Sequence, residues 1–282
     1  MLLKRKTSAE TLKLQEKYGV PYLVFPSLEN TGLVRHAFST RLGGCSTGDL
    51  ATMNLSSTRG DDPENVKENF WRFGAAVGFD PKDLVLSLQT HTTNVRLVTE
   101  EDRGKGFTRP RDYKDVDGLI TNVPGLVLAT FYADCVPLYF VDPVHRAIGL
   151  SHSGWRGTVN RMGEVTLQRM KEAFGTRPSD VWTAIGPSIC QDCYEVSEDV
   201  AQEFISAFEG RADNMLLYRK ENGKYQLNLW RANELILLES GVPKDRIAVT
   251  DICTCCNPQV LFSHRASKGK RGNLGAFLQL LS

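Results

Sequence analysis

Two histidines and a cysteine carry the strongest chemical potential in this sequence: His91, Cys135 and His152. Imidazole nitrogen and thiolate sulfur are borderline-to-soft donors that suit zinc, and three protein ligands instead of four leave a coordination position for water or substrate. A single His or Cys in a sheet protein is usually an ordinary core or surface residue. The three form neither an HExxH nor a CxxC, so local spacing alone does not single them out. Their setting does, because each borders a short apolar run: His91 follows 84–88 and Gln89-Thr90, Cys135 lies within Tyr132-Ala133-Asp134-Cys135-Val136-Pro137, and His152 follows 147–151. Strand ends in one shared sheet can converge on a common point.

The chain has seven cysteines, an odd count, behind an N-terminus (MLLKRKTSAETLKLQEKYG) with no apolar signal core. That usage suits free thiols, metal ligands or a redox pair better than a disulfide framework. Cys190-x-x-Cys193 has the spacing of half a zinc site, but Cys253, Cys255 and Cys256 lie about sixty residues further on, a longer separation than in a zinc ribbon. A second thiolate site and plain reduced thiols both stay open there. Cys45 reads as an ordinary thiol.

The elements that must position these residues follow from periodicity. Residues 1–20 carry a helix-like pattern, with Leu12 and Leu14 among charges, and read as a peripheral arm. Runs 20–25 and 37–40 read as short strands, followed by a glycine turn at Arg41-Leu42-Gly43-Gly44. A helix is predicted from Pro63, behind Asp61-Asp62, through Val66, Phe70, Phe73, Ala76 and Val77 to Gly78. Runs 84–88, 95–98, 126–131, 136–141 and 147–151 read as strands, with 118–152 as the core sheet. Then come a helix over 159–174, a strand over 181–185, a helix over 198–208, strands over 215–218 and 225–227, a helix over 229–239 and a strand over 247–250. Without linker or repeat, one mixed α/β or α+β domain spanning 1–282 is the expected architecture.

Composition bounds the function. Hydrophobic residues make up 41% and charged residues 24%, values of an ordinary globular protein that exclude a disordered or fibrous class. The 34 basic residues against 33 acidic ones leave a net charge of +1, with no like-charge run beyond Lys4-Arg5-Lys6 and the cluster at 268–271, which argues against nucleic acid as a partner. No apolar stretch approaches a membrane span, so a soluble, cytoplasmic protein is expected.

A series of ordered segments adds a resemblance. They are His36-Ala37-Phe38-Ser39-Thr40-Arg41 with Gly43-Gly44, Met53-Asn54-Leu55, Gln89-Thr90-His91, Asp117-Gly118-Leu119-Ile120-Thr121 and Ala133-Asp134-Cys135-Val136-Pro137. Beyond them come Ser151-His152-Ser153-Gly154-Trp155-Arg156-Gly157-Thr158, Ile185-Gly186-Pro187-Ser188-Ile189, Cys253-Thr254 and Phe262-Ser263-His264-Arg265. Over nearly its whole length the chain resembles the laccase-domain family, the YlmD/YfiH-like or polyphenol-oxidase-like proteins understood as purine nucleoside phosphorylases. It departs from the family at His264, where an aromatic often precedes the arginine, and in the extra cysteines at 190, 193, 255 and 256.

The resemblance implies an α+β class with a four-layer α/β/β/α fold of mixed sheets. It places the zinc ligands, which are also the catalytic residues, at His91, Cys135 and His152, with copper as an alternative occupant. It implies phosphorolysis of adenosine, inosine, guanosine and methylthioadenosine to base and ribose 1-phosphate, together with deamination of adenosine, chemistry that a metal lowering the pKa of water towards ~7 can serve. The substrates are then purine nucleosides and phosphate.

Such a reaction needs an anion pocket of arginine and backbone N–H groups. Arg41, beside Ser39, Thr40 and the Gly43-Gly44 turn, is the first candidate and Arg59 the second; Ser39 and Asn54 are grouped with them as substrate- or phosphate-binding, against the plainer reading of the arginines as surface ion pairs. Trp155-Arg156-Gly157-Thr158 leads into a helix and could bind an anion, but a helix cap at Thr158 is the preferred reading. Asp134 is the carboxylate nearest Cys135 in sequence and a candidate proton shuttle, although strand alternation would point it away.

Two competing enzymes use residues of the same types. A multicopper laccase needs a histidine-rich cluster built on His-x-His pairs, and this chain has five histidines and no such pair. A cysteine hydrolase or amidase acting on a cell-wall precursor would use Cys135 as nucleophile, activated by His152 or His91.

Overall fold

Along β8 (Val136–Asp142) every residue is buried, and the side chains divide strictly by parity. Leu138 and Phe140 enter one apolar cluster while Tyr139 and Val141 enter another. A strand covered on both faces reads as an unbroken apolar run, and its period of two distributes it between two layers. β15 (Leu274–Leu280) does the same, with Leu274, Ala276 and Leu278 on one side and Phe277 on the other. These divisions locate the layers.

The computed structural model describes residues 3–211 and 213–282. One six-stranded sheet contains β1 (Lys13–Lys17), β2 (Val20–Val24), β3 (Val34–Ser39), β15, β7 (Val127–Tyr132) and β4 (Leu84–Leu86), in that order. The other contains β14 (Ile247–Val249), β10 (Trp182–Ile185), β8, β9 (Ala147–Ser153), β6 (Gly118–Thr121) and β5 (Val95–Leu97). Pairing is antiparallel except for β4 with β7, β10 with β14 and β5 with β6, so both sheets are mixed. Phe25, Phe38, Tyr132, Tyr139, Leu150 and Leu278 fill the space between the sheets. α1 (Pro26–Glu29) is a single turn after β2.

The outer face of the first sheet is covered by α2 (Pro63–Val77), through Phe70 and Phe73 against Phe277. The predicted signals set its ends: Asp62 accepts from the Glu64 amide, Pro63 opens the helix and Gly78 closes it at φ 97°. The outer face of the second sheet is covered by α3 (Trp155–Val159), α4 (Met162–Phe174) and α6 (Leu229–Glu239), with α5 (Glu198–Ala207) and the small sheet β11 (Glu195–Val196), β13 (Tyr225–Leu227), β12 (Leu217–Arg219) completing that layer. The result is the expected single α+β domain of four layers, α/β/β/α. Among the described residues no helix is long and apolar enough to cross a membrane.

Two expectations need correction. Over 3–20 the helix-like reading gives way to an edge strand, β1, because Leu12 and Leu14 are spaced by two and turn to the core, residues 1 and 2 lying outside the described residues; Arg5 ties the preceding segment down through Asp251 and the Leu12 carbonyl. The helix read over 159–174 is two helices, parted at Arg161, whose φ is 59°.

Candidate functional site

His91, Cys135 and His152 come from three different places and meet. His152 is in β9, one residue before its end, and Cys135 sits in the turn from β7 into β8. His91 lies five residues beyond β4, in a loop where its own φ is 67°. Their donor atoms all lie within 4.8 Å of one another, with His91 Nε2 4.0 Å from Cys135 Sγ. His152 is buried, Cys135 half-buried and His91 exposed.

A residue absent from the candidate set organises this convergence. Asp117, fully buried immediately before β6, accepts on Oδ1 from His152 Nδ1 (2.8 Å) and the His91 amide (3.1 Å). On Oδ2 it accepts from the Thr90 and Thr92 amides and the Thr92 hydroxyl, each at 3.0 Å. One carboxylate therefore fixes the left-handed loop that presents His91 and occupies Nδ1 of His152, leaving Nε2 as the nitrogen that ring could offer a metal. Gln89 extends the support: its side chain donates to the Phe131 carbonyl (2.8 Å) and accepts from the Phe131 amide (2.7 Å), continuing the β4–β7 ladder past the end of β4.

The electrostatics agree with the geometry. Burial alone would raise Asp117, but His152 and the amides outweigh it and hold the carboxyl below its ordinary value. Burial likewise acts to raise Cys135 and lower His152, and their mutual attraction overrides both effects, bringing the thiol down to about 6 and lifting the imidazole, with help from Asp117, to about 9.

The donor set fits a zinc-type cation. Two nitrogens and a sulfur at these separations match a tetrahedral ion with M–N of about 2.0 Å and M–S of about 2.3 Å. Gly154 provides the room, since a Cβ there would stand 3.0 Å from His91 Cδ2 and 3.1 Å from Cys135 Sγ.

The three donors line a cavity of about 420 Å³. Phe70, Phe107 and Phe131 line it too, with Phe70 5.2 Å from Phe107 and 6.2 Å from Phe131 between ring centroids. Its cationic groups are Lys67, Arg111 and Arg271. Burial, then the charge of Arg59, lowers the Arg271 guanidinium to about 10, and among the described residues its buried Nε meets no acceptor. Arg111 donates to the Ser87 carbonyl at 2.6 Å.

The residues read as phosphate-binding are not among those that line the cavity. Arg41 donates to the carbonyls of Ala51 (2.8 Å) and Pro258 (2.9 Å) and stacks over Phe262, so its guanidinium is committed to packing. The neighbouring glycine turn has a packing cause as well: a Cβ on Gly44 would meet the Thr52 carbonyl at 2.2 Å. Ser39 accepts from the Gly275 amide, joining β3 to β15, and Asn54 bonds Ser56, Asp61 and Asn273. Arg59 lies on the surface and donates to the Gly269 and Arg271 carbonyls. Thr158 is inside α3, not at a cap, and donates back to the Gly154 carbonyl. Asp134 faces away from the three donors, accepting from the Thr254 hydroxyl (2.6 Å) and the Arg265 amide (2.7 Å).

Asp117, Gln89 and Gly154 all sit inside the ordered segments that carry the family resemblance, where a buried Asp before a strand and a Gly beside a ligand were the available signals. Arg271 was visible only as part of a basic cluster.

Comparison with known proteins agrees over most of the chain. A family described as multi-copper polyphenol oxidoreductase laccase matches residues 35–281. Purine nucleoside phosphorylase YlmD of Bacillus subtilis (strain 168) is 35% identical over 254 residues, 89% of this chain and 90% of that protein. Adenosine deaminase RL5, from an unknown prokaryotic organism, is 33% identical, covering 81% of this chain and 87% of its own. The crystal structure of YlmD from Geobacillus stearothermophilus superposes with a TM-score of 0.87 at 33% identity, over 95% of this chain and 99% of that one.

Proposed function

The chain belongs to the multi-copper polyphenol oxidoreductase laccase family, and from that premise we propose that it is a zinc-dependent purine nucleoside phosphorylase that also deaminates adenosine. One observation carries the reading: a three-donor site, an aromatic wall and a half-buried arginine whose Nε meets no acceptor among the described residues all belong to one nucleoside-sized cavity. The names of the relatives, phosphorylase and adenosine deaminase, support the same pair of activities.

His91, Cys135 and His152 hold the cation, which when bound supplies Lewis-acid chemistry and a lowered pKa for water. The remaining work falls to the chain's own side chains. Asp117 keeps His152 in the tautomer that offers Nε2 and holds the His91 loop in place. Phe70, Phe107 and Phe131 offer apolar faces to the purine. Arg271, with Arg111 and Lys67, takes the part first read for Arg41 and Arg59 and neutralises the incoming phosphate. Adenosine, inosine, guanosine and methylthioadenosine all present a purine to these faces.

The test is purine release from inosine by zinc-loaded protein, with and without phosphate, repeated with His91→Ala. The proposal expects hypoxanthine only when phosphate is present and none from the variant. Release that ignores phosphate, or survives loss of His91, overturns it.

A second reading has a geometric observation in its favour, because Cys135, His152 and Asp117 also stand in the order of a cysteine hydrolase. That enzyme would keep its activity after chelation, whereas the phosphorylase would lose it.

A further inference from the structure

Two Cys-x-x-Cys turns separated by about sixty residues fold against each other beside Asp134, which accepts from Thr254 in the second turn. The first, Cys190 to Cys193, leads into β11; the second, Cys253 to Cys256, follows β14. A β-bridge between Ser188 and Cys253 brings them into register. Cys193 Sγ lies 3.5 Å and Cys190 Sγ 3.9 Å from Cys256 Sγ, and all four sulfurs are within 4.8 Å of one another. Cys255, between the ligands of the second turn, is not in the group.

These separations decide between the chemistries open to four thiols. Disulfide sulfurs lie about 2.05 Å apart, so no pair here is bonded. Four sulfurs each about 2.3 Å from one tetrahedral ion stand ~3.8 Å from each other, close to the spacing observed. A multinuclear iron–sulfur cluster, whose four thiolates are divided among different irons, spreads its ligands further, so the spacing points to one tetrahedral ion. The surroundings also suit sulfur that carries charge: the amides of Cys190 (3.2 Å) and Cys256 (3.4 Å) both donate to Cys253 Sγ. Lys6, held by Asp192 at 2.8 Å, places its positive charge beside Cys190 and Cys256.

We propose that Cys190, Cys193, Cys253 and Cys256 form a second metal site, a closed tetrathiolate that binds one zinc ion and serves structure, not catalysis. Four protein ligands leave no position for substrate. Binding displaces the thiol protons to solvent and involves no change of oxidation state. The site ties the segment entering β11 to the segment leaving β14, and both hold Asp134: the Ile189 amide donates to its carbonyl at 3.0 Å and the Thr254 hydroxyl to its carboxylate. Arg265 closes the assembly, its amide on Asp134 and its guanidinium on the carbonyls of Cys193 (3.2 Å) and Glu195 (3.0 Å). Asp134, at φ 87°, is the residue before Cys135, so the second ion braces the turn that presents a ligand of the first site.

The experiment loads full-length protein with zinc sulfate under reductant, desalts it and counts metal by mass spectrometry, with X-ray absorption reporting the ligand shell. Wild type is expected to hold two zinc ions per chain. The double variant His91→Ala/His152→Ala, which keeps all four cysteines, should hold one in an all-sulfur shell, and stripping it should lower Tm by more than about 10 °C. Cys193→Ser/Cys256→Ser should hold one in a mixed nitrogen and sulfur shell. If that variant does not fold, the histidine variant decides alone. The proposal is overturned if the histidine variant binds no zinc, binds it through nitrogen or oxygen, or takes iron in its place, or if peptide mapping finds these cysteines in disulfides.

Discussion

Replacing Asp117 by asparagine exchanges one oxygen for an amide nitrogen at the point where five hydrogen-bond donors converge. The new side chain has two placements, and both fail. With its oxygen towards Thr90 and Thr92, the amide nitrogen faces His152 Nδ1, and the ring satisfies it only by moving its proton to Nε2, the atom needed for metal. With its oxygen towards His152, the nitrogen opposes the amides of Thr90 and Thr92, each lost bond to the buried side chain costing about 1–3 kcal/mol. Loss of such a supporting partner weakens metal binding by on the order of 10–100-fold, or about 1.4–2.7 kcal/mol. Two such bonds, about 2–6 kcal/mol, correspond in a chain of this size to a Tm lower by about 3–10 °C. Competition with a chromophoric chelator gives the zinc affinity and a melt of the metal-free protein gives Tm. An Asp117→Asn variant that binds zinc within threefold of wild type and melts within a degree of it would refute the assignment of this carboxylate as the organiser of the site.

Three other perturbations probe separate parts of the structure. Gly154→Ala puts a methyl against His91 and Cys135 and is expected to weaken zinc binding by on the order of tenfold with little change in the Tm of the metal-free protein, measured as above. Arg271→Ala should raise the KM for phosphate, whereas Arg41→Ala should leave it unchanged and instead destabilise the fold by about 1–3 kcal/mol, read by phosphate titration and urea unfolding. His36 is buried, accepts from the Phe25 amide at 2.8 Å, and is held by burial at about 3. Because it stays neutral when folded but takes a proton near 6.5 when unfolded, its contribution is intact above 6.5 and is lost as the pH falls from there towards 3. Between pH 7 and 5 that loss is about 2 kcal/mol, and His36→Gln should remove it from the urea-derived stability difference between those two pH values.

Much of the fold was legible because its signals were local. α2 begins and ends where Asp62, Pro63 and Gly78 say it should, and β8 and β9 read as apolar runs because both faces are covered. β15 was not assigned in the sequence, although it is central to its sheet; its neighbours β3 and β7 are far away in the chain, and only the closed sheet identifies its partners. The three candidate donors stand out in the sequence by residue type, strand setting and resemblance together, and the structure brings them within 4.8 Å of one another. What orients them was not, since Asp117 acts through bonds to a loop and to a strand more than twenty residues away on either side. An arginine next to a glycine turn looks the same in sequence whether it meets an anion or two backbone carbonyls, and Arg41 meets the carbonyls of Ala51 and Pro258. The four-cysteine group was half legible: the Cys190-x-x-Cys193 spacing was plain, but its completion by Cys253 and Cys256 depends on the pairing of Ser188 with Cys253.

The identity of the sugar product distinguishes phosphorolysis from every alternative reading of the cavity. Zinc-loaded protein incubated with inosine and inorganic phosphate, followed by phosphorus NMR, should give a ribose 1-phosphate signal that grows in step with free hypoxanthine. Free ribose with no new phosphorus signal would mean that water, not phosphate, is the acceptor, and no release of base from metal-replete protein would contradict the phosphorylase assignment itself.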